Sequence, residues 1–232
     1  MNLLQAIRYP FGDRAWPRKL GLVAIVSPVP VFGQLFALGY AVKILRRLQT
    51  PEHDGSLPEA RLGWDLCWLG MQAMVLTLLC GLVVGFLGAP LYFGQETELD
   101  PLMPAMVQAL QGPSMLLITI VSTVLSAAVL ARFARTGKFS SALDPLELWK
   151  MLRAEPAIWI TAAIIGYIVI EGPYALAWVL PLHSGWETAA TVLACTVFWT
   201  YGQMINAHLI AEAAAWSTYS AAARSAEVRY RW

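Results

Sequence analysis

The sequence predicts an all-α polytopic membrane protein: four spanning helices, a proline-broken re-entrant hairpin and amphipathic interfacial helices, in a single membrane domain over residues 1–232. Three observations carry this. Hydrophobic residues make up 58% of the chain, charged ones only 13%, and the mean hydropathy is +0.57, too little charge to cover a water-facing surface. The apolar residues gather in membrane-length runs. Every Lys and Arg falls outside those runs, in the segments that would share one side of the membrane, as the positive-inside rule requires.

Residues 1–19 carry Arg8, Arg14, Arg18 and Lys19 around a short apolar stripe of Leu3, Leu4, Ile7 and Phe11, which predicts a segment on the cytoplasmic surface. The opening residues lack the apolar core of a cleavable signal peptide. The first apolar run, 20–42, is interrupted near its middle by Pro28 and Pro30, so a straight helix is not expected there. Its flanks decide its path. Four basic residues precede it and Lys43, Arg46, Arg47 and Arg61 follow it, so 20–42 is expected to enter and leave on one side as a re-entrant hairpin. Gln34, just past the tip, is expected to meet Gln72 or the last helix.

Four spans follow, at 66–93, 114–131, 157–181 and 188–216. Ser56-Leu57-Pro58-Glu59 has the pattern of a capping box opening a helix before the first of them. Gly81 and Gly85 form a GxxxG within it, a weak sign of close helix approach. The loop 94–113 has no Lys or Arg and carries Glu96, Glu98 and Asp100; within it, 101–112 reads as an outer interfacial segment. Asp144-Pro145-Leu146-Glu147 is a second capping box, opening an amphipathic helix over 141–155 on the inner leaflet, with Leu146, Trp149 and Leu152 opposite Lys150 and Arg153. Both termini then lie in the cytoplasm and the protein in the inner membrane, with the basic excess facing anionic headgroups.

The last run is the expected centre of the bundle. At helical spacing Tyr201, Ile205, His208 and Glu212 share one face and Trp199, Gln203, Asn206 and Ile210 the opposite one, so it needs protein on both sides. Four residues are candidate site residues. Glu171 is a carboxylate deep in a span, next to Gly172-Pro173, where the proline frees the Val169 carbonyl; it can hold a proton or cation, or hydrogen-bond to Tyr201 at the same depth. His208 and Glu212 are spaced for two metal ligands, but no third is in view, so no metal site is expected. A His–Glu hydrogen bond, with the carboxylate reaching toward Arg132 or Arg153, is the plainer reading. No cofactor is predicted; a tetrapyrrole on His208 is the alternative, with small alanines around it. Cys67, Cys80 and Cys195 lie inside apolar runs without CxxC spacing, which points to single buried thiols.

The residues Gly39-Tyr40, Arg46-Arg47, Leu57-Pro58, Gly70, Ala134-Arg135-Thr136-Gly137-Lys138-Phe139-Ser140 and His208-Leu209 carry a resemblance. The chain is similar to a prokaryotic integral-membrane family known as a domain of unknown function (number four thousand and thirteen). The resemblance implies a multi-span helical fold and brings no activity and no site residues.

The sequence has no nucleophile elbow and no phosphate-cradling glycine loop, and its basic residues form no soluble nucleic-acid face. The expectation is therefore a non-catalytic scaffold or accessory subunit that packs against other membrane proteins or copies of itself. The alternative is an oligomeric small-solute or ion transporter or channel that uses Glu171.

Overall fold

A computed structural model of the chain describes residues 3–27, 29, 32–50, 56–92, 113–179 and 185–230. The described residues are helical nearly throughout and contain no strand. A short helix α1 (Leu3–Arg8) runs into a 3-10 turn (Tyr9–Gly12), followed by α2 (Trp16–Val26) and α3 (Phe32–Leu48). After a strap at 56–63 come α4 (Trp64–Tyr92), α5 (Pro113–Thr136), the single turn α6 (Phe139–Ala142), α7 (Pro145–Ala154), α8 (Pro156–Val179) and α9 (Gly185–Tyr230).

Among the described residues, three helices are long and apolar enough to cross a membrane: Trp64–Gly88 and Leu116–Thr136, each with mean hydropathy 2.1, and Pro156–Pro173, with 1.5. They correspond to three of the four expected spans. The fourth, 188–216, is helical throughout but does not join that set, because Tyr201, Gln203, Asn206 and His208 dilute its apolar stretch. It forms part of a helix of 46 residues, since nothing between Ser217 and Tyr230 is a glycine or proline that would end one.

The bundle is assembled on α9, which packs against α8 along most of its membrane-length part and also touches α1, α2, α3, α5 and α7. Glycines let α8 and α9 approach closely. A Cβ on Gly166 would strike Asn206, and one on Gly202 would stand 2.7 Å from the Val169 carbonyl oxygen. On the other side α3 and α4 meet backbone to backbone, because a Cβ on Gly39 would overlap the Leu66 carbonyl and one on Gly70 the Leu35 carbonyl. The apolar core between these pairs holds Tyr40, Ile44, Leu66, Leu76, Phe133, Trp159 and Leu209, all nearly fully buried.

Two local readings of the sequence are corrected by packing. Ser56-Leu57-Pro58-Glu59 opens no helix; α4 begins at Trp64, and 56–62 runs as a strap held by long-range bonds. Gln34 is exposed and makes no hydrogen bond to Gln72 or α9 among the described residues. The second capping box forms as expected. The Asp144 side chain accepts from the Leu146 N–H at 3.1 Å and the Glu147 N–H at 3.4 Å, with Pro145 in the first turn. Leu146 (71% exposed) and Trp149 (63%) then face outward from α7. Pro28, Pro30 and the segment 101–112 lie outside the described residues.

Candidate functional site

The four residues picked from the sequence do not form one cluster. Tyr201 and His208 lie on the face of α9 covered by the N-terminal segment. The Tyr201 hydroxyl donates to the Ile7 carbonyl at 2.6 Å, and its ring centre stands 5.6 Å from that of Phe11. The His208 ring is tilted against Tyr9 at 5.1 Å. Residues 7–11 are thus docked along the helix between Tyr201 and His208. Glu212 is half-buried one turn further on. Arg132, one of its two suggested partners, is engaged elsewhere: its guanidinium donates to the Ser141 carbonyl at 2.9 and 3.1 Å and reaches Glu147 at 3.4 Å. Arg153, the other, is exposed.

Glu171 is half-buried in α8, at the level of α9 that the sequence predicts. Val169 faces Gly202, and the Pro173 carbonyl accepts from the Cys195 thiol at 3.3 Å, which brackets Glu171 between those levels of α9. The expected bond to Tyr201 does not form, because that hydroxyl is spent on Ile7. The carbonyl that Pro173 deprives of its helical donor is covered by the Cα of Gly202. One turn before Glu171, the buried Tyr167 hydroxyl makes no hydrogen bond among the described residues. No group of three His, Cys, Asp or Glu side chains suited to a metal gathers among the described residues.

The most highly connected polar cluster is one that sequence reasoning missed. Asp13, 9% exposed, accepts from the Ala15 N–H at 2.7 Å, the Lys19 ammonium at 2.6 Å and the Leu57 N–H at 3.0 Å. Lys19 also donates to the Leu57 carbonyl at 2.6 Å, and the Tyr40 hydroxyl to the next carbonyl, Pro58, at 2.9 Å. Arg47 donates to the Ser56 hydroxyl at 2.7 Å. The bond from Lys19, assisted by the two backbone donors, holds the Asp13 carboxyl below the usual aspartate range despite its burial. The cluster ties α2, α3 and the strap into one unit. The signal that could have exposed it was Asp13 itself, the one acid in a basic segment of nineteen residues.

A second meeting point joins the end of α3 to the end of α5. The Arg46 guanidinium lies over the Phe133 ring, 5.4 Å from its centre, and reaches toward Gly137. Beside it, the Gln49 side-chain amide donates to the Ala131 carbonyl at 3.3 Å.

Residues 22–182 match the family model described as protein of unknown function (DUF4013). No curated protein and no solved structure matches the chain. The match spans well over half of the sequence, so the chain belongs to that family.

Proposed function

We propose that this member of the DUF4013 family is a non-catalytic subunit of the inner membrane that works by packing against other membrane proteins. The observation that carries the reading is the outward face of α4. Gly85 has open space where a Cβ would stand, and Gly81 nearly so. Leu82 (68% exposed) and Phe86 (83%) rise beside them, leaving a groove with helix backbone as its floor. In lipid, a groove of this kind gains contacts from a partner helix that acyl chains fill less well. A photo-crosslinking residue at Phe86 should capture a protein partner in native membranes, whereas one at Ile160, exposed on α8, should not. A chain that runs only as a monomer after gentle extraction, with no adduct at Phe86, would sink the idea.

The topology that goes with this reading is a re-entrant hairpin of α2 and α3, with both termini cytoplasmic. It is supported by Lys19 and Tyr40, which lie on different arms yet bond adjacent carbonyls of the same strap. The Ser27 hydroxyl, near the turn, lies 3.3 Å from that of the buried Thr200, which supports a tip covered by α9. Four spans, with α9 as the last, complete the arrangement.

A second reading, transport of a proton or small cation, is favoured by Glu171 and the Tyr167 hydroxyl one turn away, which makes no hydrogen bond among the described residues, within a candidate span. Glu171→Gln should abolish a flux measured in proteoliposomes; unchanged flux would remove Glu171 from the pathway.

A further inference from the structure

Basic side chains near a membrane are usually paired with a carboxylate or extended into water at headgroup level. Many here are paired: Lys19 with Asp13, Lys43 with Asp65, Arg61 with Glu59, and Arg132 and Lys150 with Glu147. Arg46 does neither. It is half-buried in the last turn of α3, and its Nε is buried without a hydrogen bond among the described residues. One face of its guanidinium rests over Phe133, and Nη2 points at Gly137, 4.0 Å from where a Cβ would stand.

Gly137 sits at φ +66°, a conformation that glycine adopts without strain. Its N–H closes α5 onto the Phe133 carbonyl at 2.9 Å, and the Lys138 N–H donates to the Thr136 hydroxyl at 3.3 Å. This turn presents Arg135 and Lys138, both exposed and neither in an ion pair among the described residues. Three cations thus surround a turn with no carboxylate paired to them among the described residues.

We infer that Arg46, Lys138 and the Gly137 turn bind a phosphate group, supplied by an anionic phospholipid of the adjoining leaflet. The stacked guanidinium has a fixed plane, so its outer N–H groups form a ready fork for phosphate oxygens. Lys138 adds a mobile point charge, and the glycine leaves the approach clear. The apolar span of α5 ends at Thr136, which brings the turn to the depth where acyl chains give way to headgroups. The outward Leu146 and Trp149 of α7, which Arg132 ties to α5 through Glu147, offer apolar contact that a free phosphate would not use. The inference rests only on α5 crossing the membrane. Failure of the scaffold reading or of the re-entrant hairpin leaves it standing.

The test is native mass spectrometry of the full chain in mild detergent, titrated separately with phosphatidylglycerol and phosphatidylcholine. One phosphatidylglycerol should be retained in preference to the zwitterionic lipid. Arg46→Gln should weaken that retention by about tenfold and Lys138→Gln by about threefold, in line with the loss of a charged hydrogen bond. Arg61→Gln, which removes a cation exposed and paired with Glu59, should leave it unchanged. Should Arg46→Gln fail to fold, the exposed Lys138→Gln carries the test. Equal retention of the two lipids, or retention unaffected by the Arg46 and Lys138 variants, overturns the inference. Inorganic phosphate that displaces the lipid and binds as tightly by itself would overturn the lipid assignment.

Discussion

The Asp13 carboxylate and the Lys19 ammonium stand 2.6 Å apart beneath the strap that joins α3 to α4, and between them they take both the N–H and the carbonyl of Leu57. One ion pair thus replaces the two partners that a sheet or helix would have given that peptide. Removing half of it strands the other charge and two backbone groups together.

Asp13→Asn should therefore destabilise the protein by about 3 kcal/mol, as for a buried pair broken on one side, and Lys19→Met by a similar amount. Thermal unfolding in detergent reads the loss. The sign with pH follows from the depressed Asp13 carboxyl. A group whose folded pKa lies below its unfolded value, about 3.9, stabilises above that value and loses its contribution as the pH falls through the folded pKa. The wild type should lose stability below about pH 4 more steeply than Asp13→Asn.

Gly70→Val should be among the most damaging single changes, because the new side chain would meet the Leu35 carbonyl, a backbone group that cannot swing aside. A cost of about 3 kcal/mol or more is expected from overpacking. Gly85→Val, placed in open space, should be nearly neutral for the isolated protein. Melting temperatures of the two variants check this, and equal effects would refute the close contact of α3 and α4.

Ser217→Ala should cost about 1–3 kcal/mol, since the buried indole N–H of Trp159 donates to that hydroxyl at 2.8 Å and would be left without an acceptor. Trp159→Phe in the same background should recover part of the loss, and a double-mutant cycle measures the coupling.

Cysteines at Asn2 and at the exposed Glu59, in a background lacking the buried Cys67, Cys80 and Cys195, should both be labelled from the cytoplasmic side by an impermeant thiol reagent. Labelling of the first from the outer side would make 20–42 a crossing segment.

Two stretches with the same local pattern show where a sequence is legible and where it is not. Asp144-Pro145-Leu146-Glu147 caps a helix because Asp144 itself takes the Leu146 and Glu147 N–H groups. Ser56-Leu57-Pro58-Glu59 spells the same motif, yet Asp13 takes the Leu57 N–H, Tyr40 the Pro58 carbonyl and Arg47 the Ser56 hydroxyl. Local propensity lost to bonds made across 44 residues of separation for Leu57. Helix type and position were legible from hydropathy, and the level at which Glu171 meets α9 from counting residues. The partner of Tyr201 was not, because its choice of Ile7 depends on how α1 folds back over α9, which no periodicity encodes. The residues carrying the family resemblance also acquire physical reasons only in three dimensions: Gly39 and Gly70 let α3 and α4 touch, Tyr40 holds Pro58, and Arg46 reaches the turn at Gly137.

The length of α9 makes it a lever. Ser217, which takes the buried Trp159 indole N–H, still holds it to α8, and from there it continues unbroken to Tyr230. At the helical rise that is an arm of roughly 20 Å, so tilting it by about 10° about that contact would swing its far end by about 3 Å. A small disturbance where the two helices touch would then arrive at the C-terminal end enlarged.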